Sequence, residues 1–467
     1  MKKSQQTFLF VTFLLLVIPA CRTIEGWLDT PFSAPNPTPI PLHDLEITPN
    51  STPVILTPTP HQPHEQNTVE LESVSIRPTP TLSALNLEEQ LNVFHETWDI
   101  VNEEYLYIDF NGVDWEQTQI DYEERIKAGM ETEEFYSAMD AMIYSLGDDH
   151  SIFLSPQMVA ADEAEYEGRN EYVGIGIIHM AVPERGISTI ILTFPGSPAE
   201  QVGLKPHDNI LTVDGQPILD EDGYIQDIIF GPVGSYTSLG VQTPGKGVRE
   251  VIVQRTVILS PVPTPWALLS SPEGQRIGYL MITTFSDSNT PDNVETALEA
   301  LTSNGPLDGL IIDNRMNGGG AHTVFLDTLR YFTSGTIGYF VNRTEEETLK
   351  INGLDINGSL EVPLVVLIGP DTVSFGEVFA GVLQERERAY LIGETTYGNV
   401  EILYGYNLPY GSQLWIAHDT FRPAINPDQV WENAGVTPDL QIPSAWDLYT
   451  TFTDPAVIAS LEYFDAQ

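Results

Sequence analysis

One cysteine, Cys21, stands in the 467 residues of this chain. A single thiol excludes an intrachain disulfide. Basic residues are scarce as well: 20 Lys+Arg face 66 Asp+Glu, a formal charge of −46 at pH 7. So acidic a surface repels nucleic acid and anionic headgroups, and no nucleic-acid partner is expected. No lysine follows Lys350, so nothing downstream can use an amine as a base. No long acidic block stands out as a tail. The apolar run near the N-terminus is about a dozen residues, short of the ~20 that a membrane-spanning helix needs. What remains is ample: 42% of the residues are hydrophobic, enough for a large core, and the length suits two or three domains.

The opening "MKKSQQTFLFVTFLLLVIPAC" has two lysines, an apolar run and then Ala20-Cys21. These are the parts of a secretory signal. "IPAC" resembles a bacterial lipobox, with Ile18 at the aliphatic position and Ala20 before the cysteine; Pro19 is less usual there. Residues 1–21 are therefore expected to be a signal peptide. The resemblance implies a lipidated Cys21 and a cell-membrane lipoprotein on the extracytoplasmic face. Ordinary cleavage nearby, with an incidental cysteine, is the other reading. Residues 22–85 are rich in Pro, Thr and Ser ("TPFSAPNPTPIP", "NSTPVILTPTP"). Such a stretch cannot build a core and reads as a spacer.

Residues 86–160 are expected to be helical. Leu87, Leu91, Phe94, Trp98 and Val101 fall at three-to-four spacing. Asp114 and Thr132 are candidate N-caps. Residues 165–260 hold short β-branched runs separated by Gly and Pro turns, a small mainly β module. From about 270 to 445, strands such as "RIGYLMITTF", "LDGLIIDNR" and "VPLVVLIG" alternate with helices such as "DNVETALEALTSN" and "SFGEVFAGVLQER". That alternation predicts an α/β core with a largely parallel sheet. Residues 446–467 read as a C-terminal tail.

Ser374 follows the buried strand "VPLVVLIG" at a sharp turn, opening a helix. Hydrolases often hold a nucleophile in such a place, and the helix dipole favours negative charge developing there. "NGGG" at 317–320 follows another buried strand and leaves backbone amides open to close approach. No "GK[ST]" follows it, which weakens a phosphate-binding reading. In "VGIGI", residues 173–177, the glycines let consecutive N–H groups converge on a carboxylate.

Four stretches in this order resemble the carboxyl-terminal processing peptidases, serine proteases with an inserted PDZ domain. They are "VGIGI" with "PGSPAEQVGLKPHDNILTVDG" (173–215), "LDGLIIDNRMNGGG" (307–320), "SFGEVFAGVLQERERAYLIGETTYG" (374–398) and "GVTPDL" (435–440). The likeness implies a ClpP/crotonase-like α/β core carrying a PDZ module. It implies protein or peptide substrates bound by their C-termini at Gly174, Ile175, Gly176 and Ile177. It also implies oxyanion donors from Gly318 or Gly319 and from the Phe375 amide.

One departure is plain. Typical members carry a lysine base in a "TFGKG"-like turn, where this chain has "TTYGN" and Asn399; the usual glutamine four residues on is Leu403. An amide cannot take the proton at neutral pH. A second branch resembles tricorn-type proteases, with a histidine base in "L-x-D-x-H" and a glutamate before "G-V-x-P-D". "LGDDH" supplies His150 and "WENAGVTPD" supplies Glu432. The likeness thus implies a Ser374–His150–Glu432 site. Asp149 stands where that branch has a serine. His322 and His418 are other candidate bases, and His150 as a structural residue stays open. Asp148, Asp149 and His150 lack a second ligand cluster, so no metal and no cofactor are expected. Two functions remain: an exported serine endopeptidase, or an inactive homologue that binds peptides through its PDZ module. The retained serine, glycine loop and histidine favour the first.

Overall fold

The computed structural model describes residues 83–168, 171–259 and 262–467. The signal peptide, Cys21 and nearly all of the Pro-rich spacer lie outside these residues. Among the described residues no helix is long and apolar enough to cross a membrane.

The N-terminal region folds as α1 (Leu87–Glu104), α2 (Trp115–Lys127), α3 (Thr132–Tyr144), β1 (Ile152–Leu154) and α4 (Pro156–Tyr166). Helix α1 starts on a capping box: Asn86 Oδ1 accepts the Glu88 and Glu89 amides, and Glu89 Oε2 accepts the Asn86 N–H. Its buried face is Gln90, Val93, Phe94, Thr97 and Val101, whereas Leu87 is exposed. That face is rotated from the apolar spacing. Gln90 tolerates burial because its amide donates to the Leu85 and Met130 carbonyls. Asp114 caps α2 through the Gln117 N–H, as its position suggests. Thr132 is the first residue of α3, not its cap. Its hydroxyl accepts the Leu85 N–H instead.

The inserted module comprises β2 (Glu171–Gly174), β3 (Ile177–Val182), β4 (Ile187–Thr193), the short α5 (Pro198–Gln201), β5 (Asn209–Val213), β6 (Gln216–Pro217), β7 (Tyr236–Gln242), β8 (Val248–Gln254) and β9 (Thr256–Leu259). Strands β2 and β9 pair at its neck. The main sheet runs β3-β4-β5-β7-β8, which leaves β3 at an edge. Between β6 and β7 only a three-residue turn, Asp227–Ile229, is helical. Arg255 holds that segment, donating to the Ile228, Ile229 and Tyr236 carbonyls.

The core adds β10 (Trp266–Ser270), β11 (Arg276–Met281), α6 (Thr290–Thr302), β12 (Gly309–Asp313), α7 (His322–Leu329), β13 (Gly335–Val341), β14 (Glu346–Ile351), β15 (Leu364–Ile368), α8 (Phe375–Glu385), β16 (Tyr390–Gly393), β17 (Ile402–Asn407), β18 (Gln413–Pro423), β19 (Leu440–Gln441) and α9 (Pro455–Asp465). One sheet runs β10-β11-β12-β15-β16-β19, parallel from β11 onward. Strands β12 and β15 are fully buried β-branched and leucine runs, as parallel strands covered on both faces must be. Residues 446–467, a tail in the sequence reading, end in α9. Its Ala456, Val457 and Phe464 are buried against that sheet.

A second sheet, β1-β18-β13-β14 with β17 also on β18, joins the two ends of the chain. Ile152 faces Trp415 and Leu154 faces Gln413. The helices α1 to α3 share a core with Leu408, Leu414, Ile416 and Ala417. That pairing carries residues near 150 to the catalytic half of the molecule.

Candidate active site

The loops after β12 and β15 leave the C-terminal ends of adjacent parallel strands, the customary ligand end of such a sheet. The second places Ser374 at the start of α8 with φ +55° and ψ −127°. An ordinary N-cap is extended with negative φ. A non-glycine residue held here costs about 1–3 kcal/mol, which the surroundings must over-determine. They do. The Ser374 N–H donates to the Asn399 carbonyl at 3.0 Å and to Glu377 Oε1 at 3.2 Å. Glu377, fully buried one turn into α8, also accepts the Asn399 and Gly398 amides at 2.8 and 2.7 Å and the Thr396 hydroxyl. Burial pushes its carboxyl up despite these bonds. One carboxyl therefore ties the serine turn to the 396–399 loop.

The glycine loop is knitted to the same helix. Asn314 Nδ2 donates to the Gly376 carbonyl, Asn317 Nδ2 to Asn314 Oδ1, and the Val373 N–H to the Asn317 carbonyl. Gly319 has φ +87°, and a Cβ there would lie 2.7 Å from Ser374 Cβ and 3.0 Å from the Phe375 nitrogen. A Cβ on Gly376 would lie 2.3 Å from the Asn317 carbonyl oxygen. Both positions exclude a side chain. Of the expected oxyanion donors, the Gly319 amide donates to Asn317 Oδ1 at 3.0 Å, and the Phe375 amide meets no acceptor among the described residues. Gly318 is half-buried in the same loop.

"LGDDH" forms the turn before β1, and its members have separate tasks. Asp148 shapes it: Oδ1 accepts the His150 and Ser151 amides, and Oδ2 accepts the hydroxyls of Ser151 and Tyr105. Asp149 takes the left-handed φ of +55°. His150 projects inward, with its side chain 13% exposed. The turn is joined to the nucleophile loop through Asn399, whose Nδ2 lies 3.5 Å from the Asp149 carbonyl oxygen. Asn399 thus bridges the two segments, its carbonyl accepting from Ser374 and its amide reaching Asp149.

The carboxylate nearest the imidazole is not the one the motifs indicate. His150 Nδ1 lies 3.7 Å from Glu401 Oε2. Glu401 is 3% exposed, and its Oε1 accepts the Tyr107 hydroxyl at 2.7 Å. Burial opposes its charge, but His150, Glu432 and Tyr107 outweigh burial and hold the carboxyl below its usual range. Glu432 interacts electrostatically with Glu401, and its Oε2 accepts the Val400 N–H at 2.7 Å. Burial, then the charge on Glu401, push Glu432 up to about 8. Sequence reasoning passed over Glu401, Glu377 and Tyr107. Glu377 alone left a signal, a lone acid in the otherwise apolar "FGEVFAGVL".

The other histidines sit differently. His322 opens α7 and stacks on Phe375, with ring centroids 5.8 Å apart and Phe340 on another side. Burial pushes its imidazole down to about 4, so it resists carrying a proton. His418, on β18, stacks on Tyr404 and is held by Asp419 at 2.8 Å. Among the described residues no three metal-binding side chains gather.

Comparison with known proteins gives the family. The chain is 32% identical over 392 residues to the carboxyl-terminal-processing protease of Synechocystis sp., spanning 79% of this chain and 89% of that protein. It belongs to the carboxyl-terminal-processing protease family. The Picosynechococcus sp. relative of the same name is 30% identical, over 79% of this chain and 92% of that one. Residues 276–442 match peptidase family S41, residues 87–143 the tricorn protease C1 domain, and residues 195–243 a PDZ domain. The solved photosystem II D1 C-terminal processing protease aligns with TM-score 0.52 and 26% identity, covering 77% of this chain and 94% of that one. An S41-type chain from Bacteroides fragilis aligns with TM-score 0.54 at 16% identity, over 79% and 97%, a likeness of fold. This member of the processing proteases is a serine-type peptidase with a PDZ module and an N-terminal helical region. It differs from the usual pattern in having Asn399 at the position of the base.

In the PDZ module, Gly174 pairs with Thr256, the Ile175 carbonyl accepts the Ala199 N–H, and Gly176 has φ +82°. Ile177 opens edge strand β3. The four residues therefore end at an open strand edge, as adding a peptide strand requires.

Proposed function

We propose that the chain is an endopeptidase acting outside the cytoplasmic membrane, with Ser374 as nucleophile and His150 as base. Ser374 and His150, backed by the buried Glu401 and the half-buried Glu432, take the place of the usual Ser–Lys dyad. The observation that carries this reading is the joining of the "LGDDH" turn, through Asn399, to the Ser374 turn, with the imidazole facing buried carboxyls. In the reaction, Ser374 Oγ bonds to the scissile carbonyl carbon while its proton passes to His150 Nε2. The carbonyl π pair moves onto oxygen, which the Phe375 amide and the glycine loop receive. The Gly319 amide joins them only by leaving Asn317. As the tetrahedral centre collapses, the C–N bond breaks and the imidazolium gives its proton to the departing amine. Water then repeats the sequence to free Ser374. The PDZ module recruits substrate C-termini by strand addition at β3, with the carboxylate on the amides of 174–177.

The N-terminal sequence supports export and a lipid anchor at Cys21. The test of the chemistry is labelling with a fluorophosphonate probe, together with a tailed-peptide assay. Ser374→Ala is expected to lose both label and turnover. His150→Ala is expected to lower kcat at least about a hundredfold, as loss of a general base does. Full turnover in His150→Ala and loss in His322→Ala would move the base to α7. An unlabelled, inactive wild type that still binds C-terminal peptides would make the chain a PDZ-based binding protein.

A further inference from the structure

We propose that Glu401, and not Glu432, is the positioning carboxylate of His150. The proposal rests on the Ser374–His150 reading and adds the order of the acids behind it.

Geometry carries the assignment. Glu401 Oε2 faces His150 Nδ1 at 3.7 Å, and their side chains are 2% and 13% exposed. Both atoms are buried, and no ordinary hydrogen bond reaches Nδ1 among the described residues. The gap exceeds a hydrogen bond by less than 1 Å, of the kind that tightens when substrate closes a site. The other Glu401 oxygen is fixed by Tyr107, so the carboxylate is aimed rather than free to swing. No ion pair joins Glu432 to His150 among the described residues; its Oε2 accepts the Val400 amide.

The groups around the pair come from every packed element. Tyr107 follows α1, with Asp148 and His150 in the turn before β1 and Glu377 on α8. None but His150 can bring a positive charge. Two interacting carboxylates, one buried and one half-buried, do not both stay ionised under such a field, so one keeps a proton. The surroundings favour the charge on Glu401, since the imidazole and the Tyr107 hydroxyl stabilise it there. Burial and that neighbouring charge raise Glu432 to about 8, in keeping with the assignment. A charged Glu401 fixes the Nδ1–H tautomer and leaves the Nε2 lone pair for the serine proton.

The test uses the full chain with selectively [15N]-labelled histidine, beside the tailed-peptide assay. In Glu401→Gln, kcat is expected to fall about 10²- to 10⁴-fold, the range seen when an orienting carboxylate becomes an amide. KM should stay within about threefold, since the residue acts on the transition state. The His150 nitrogen shifts are expected to move away from the Nδ1–H tautomer. Glu401→Asp should recover part of the rate. Glu432→Gln should cost less than about tenfold, because a neutral amide replaces a neutral acid. It should also remove a fall in kcat that is expected of the wild type above about pH 8. The reverse pattern, with Glu432→Gln costing the large factor and shifting the tautomer while Glu401→Gln does neither, would overturn the assignment. The tautomer is read without turnover and separates the two ideas. Loss of the Nδ1–H tautomer in Glu401→Gln supports this proposal even if Ser374→Ala showed the catalytic reading to be wrong. Melting curves identify a variant that merely fails to fold, and Glu401→Asp then carries the test.

Discussion

A lysine placed at position 399 would arrive among three carboxyls. The Asn399 amide already sits on Glu377, the next amide sits on Glu432, and Glu401 is two residues on. Such neighbours hold an ammonium in its charged form, and a charged ammonium is no base. Asn399→Lys is therefore expected to lower kcat/KM at neutral pH and not to restore a dyad; a rise would show that this pocket still accepts the family's chemistry. The same neighbourhood explains what could be read from the chain. Ser374, His150 and Glu432 were identifiable as candidates because each lies in a short motif. Glu401 was not, because its partner is 251 residues away in sequence and a single acid before a strand has no spacing to betray it.

Among the elements, α8 and the glycine loop form one unit. Gly319 and Gly376 are where backbone meets backbone, with no volume for a methyl group. Gly319→Ala is expected to abolish peptide turnover and lower the melting temperature by several degrees, since it combines a forced φ with a clash at the nucleophile. Retained turnover would mean that the loop is mobile enough to reshape. Alternation of strand and helix made this α/β core visible in the sequence, as did the β-branched density of the inserted module. The buried face of α1 was less visible, because Gln90 and Thr97 are inside on the strength of hydrogen bonds that hydrophobic spacing does not register. The role of 446–467 was hidden for a related reason. Trp446 stacks on His207 at 4.1 Å and donates to the Ile190 carbonyl, a seam between distant segments that leaves no local pattern.

Across the whole molecule, the charge of −46 sets how the fold responds to its solvent. Self-repulsion of that size is screened by salt. The melting temperature is expected to rise by several degrees between about 20 mM and 300 mM NaCl, and no rise would place the charges farther apart than the count suggests. Two desolvated acids, the buried Glu165 and the half-buried Glu432, add a pH dependence whose expected sign follows from the direction of their shifts. Burial first, then a neighbouring acid, raise Glu165 to about 7 and Glu432 to about 8. Both are protonated in the fold and ionised in the unfolded chain between about pH 4.5 and their folded values. Their stabilising effect is present at the acid end of that window and is lost as pH rises through it. Melting temperature should therefore fall from pH 6 to pH 8.5, and Glu432→Gln should flatten the fall. Below that window Glu401 and Asp313, held low by His150 and Arg315 against the cost of burial, work in the opposite sense. The pairing of β1 with β18 has a consequence in time. The proposed base is made with residue 150 and the proposed nucleophile with residue 374, but the strand that pairs with β1 is residues 413–423. A chain still emerging from the ribosome or a translocation pore holds both reactive groups and no working site. On the proposed chemistry, synthesis as far as β18 is what first brings the two together.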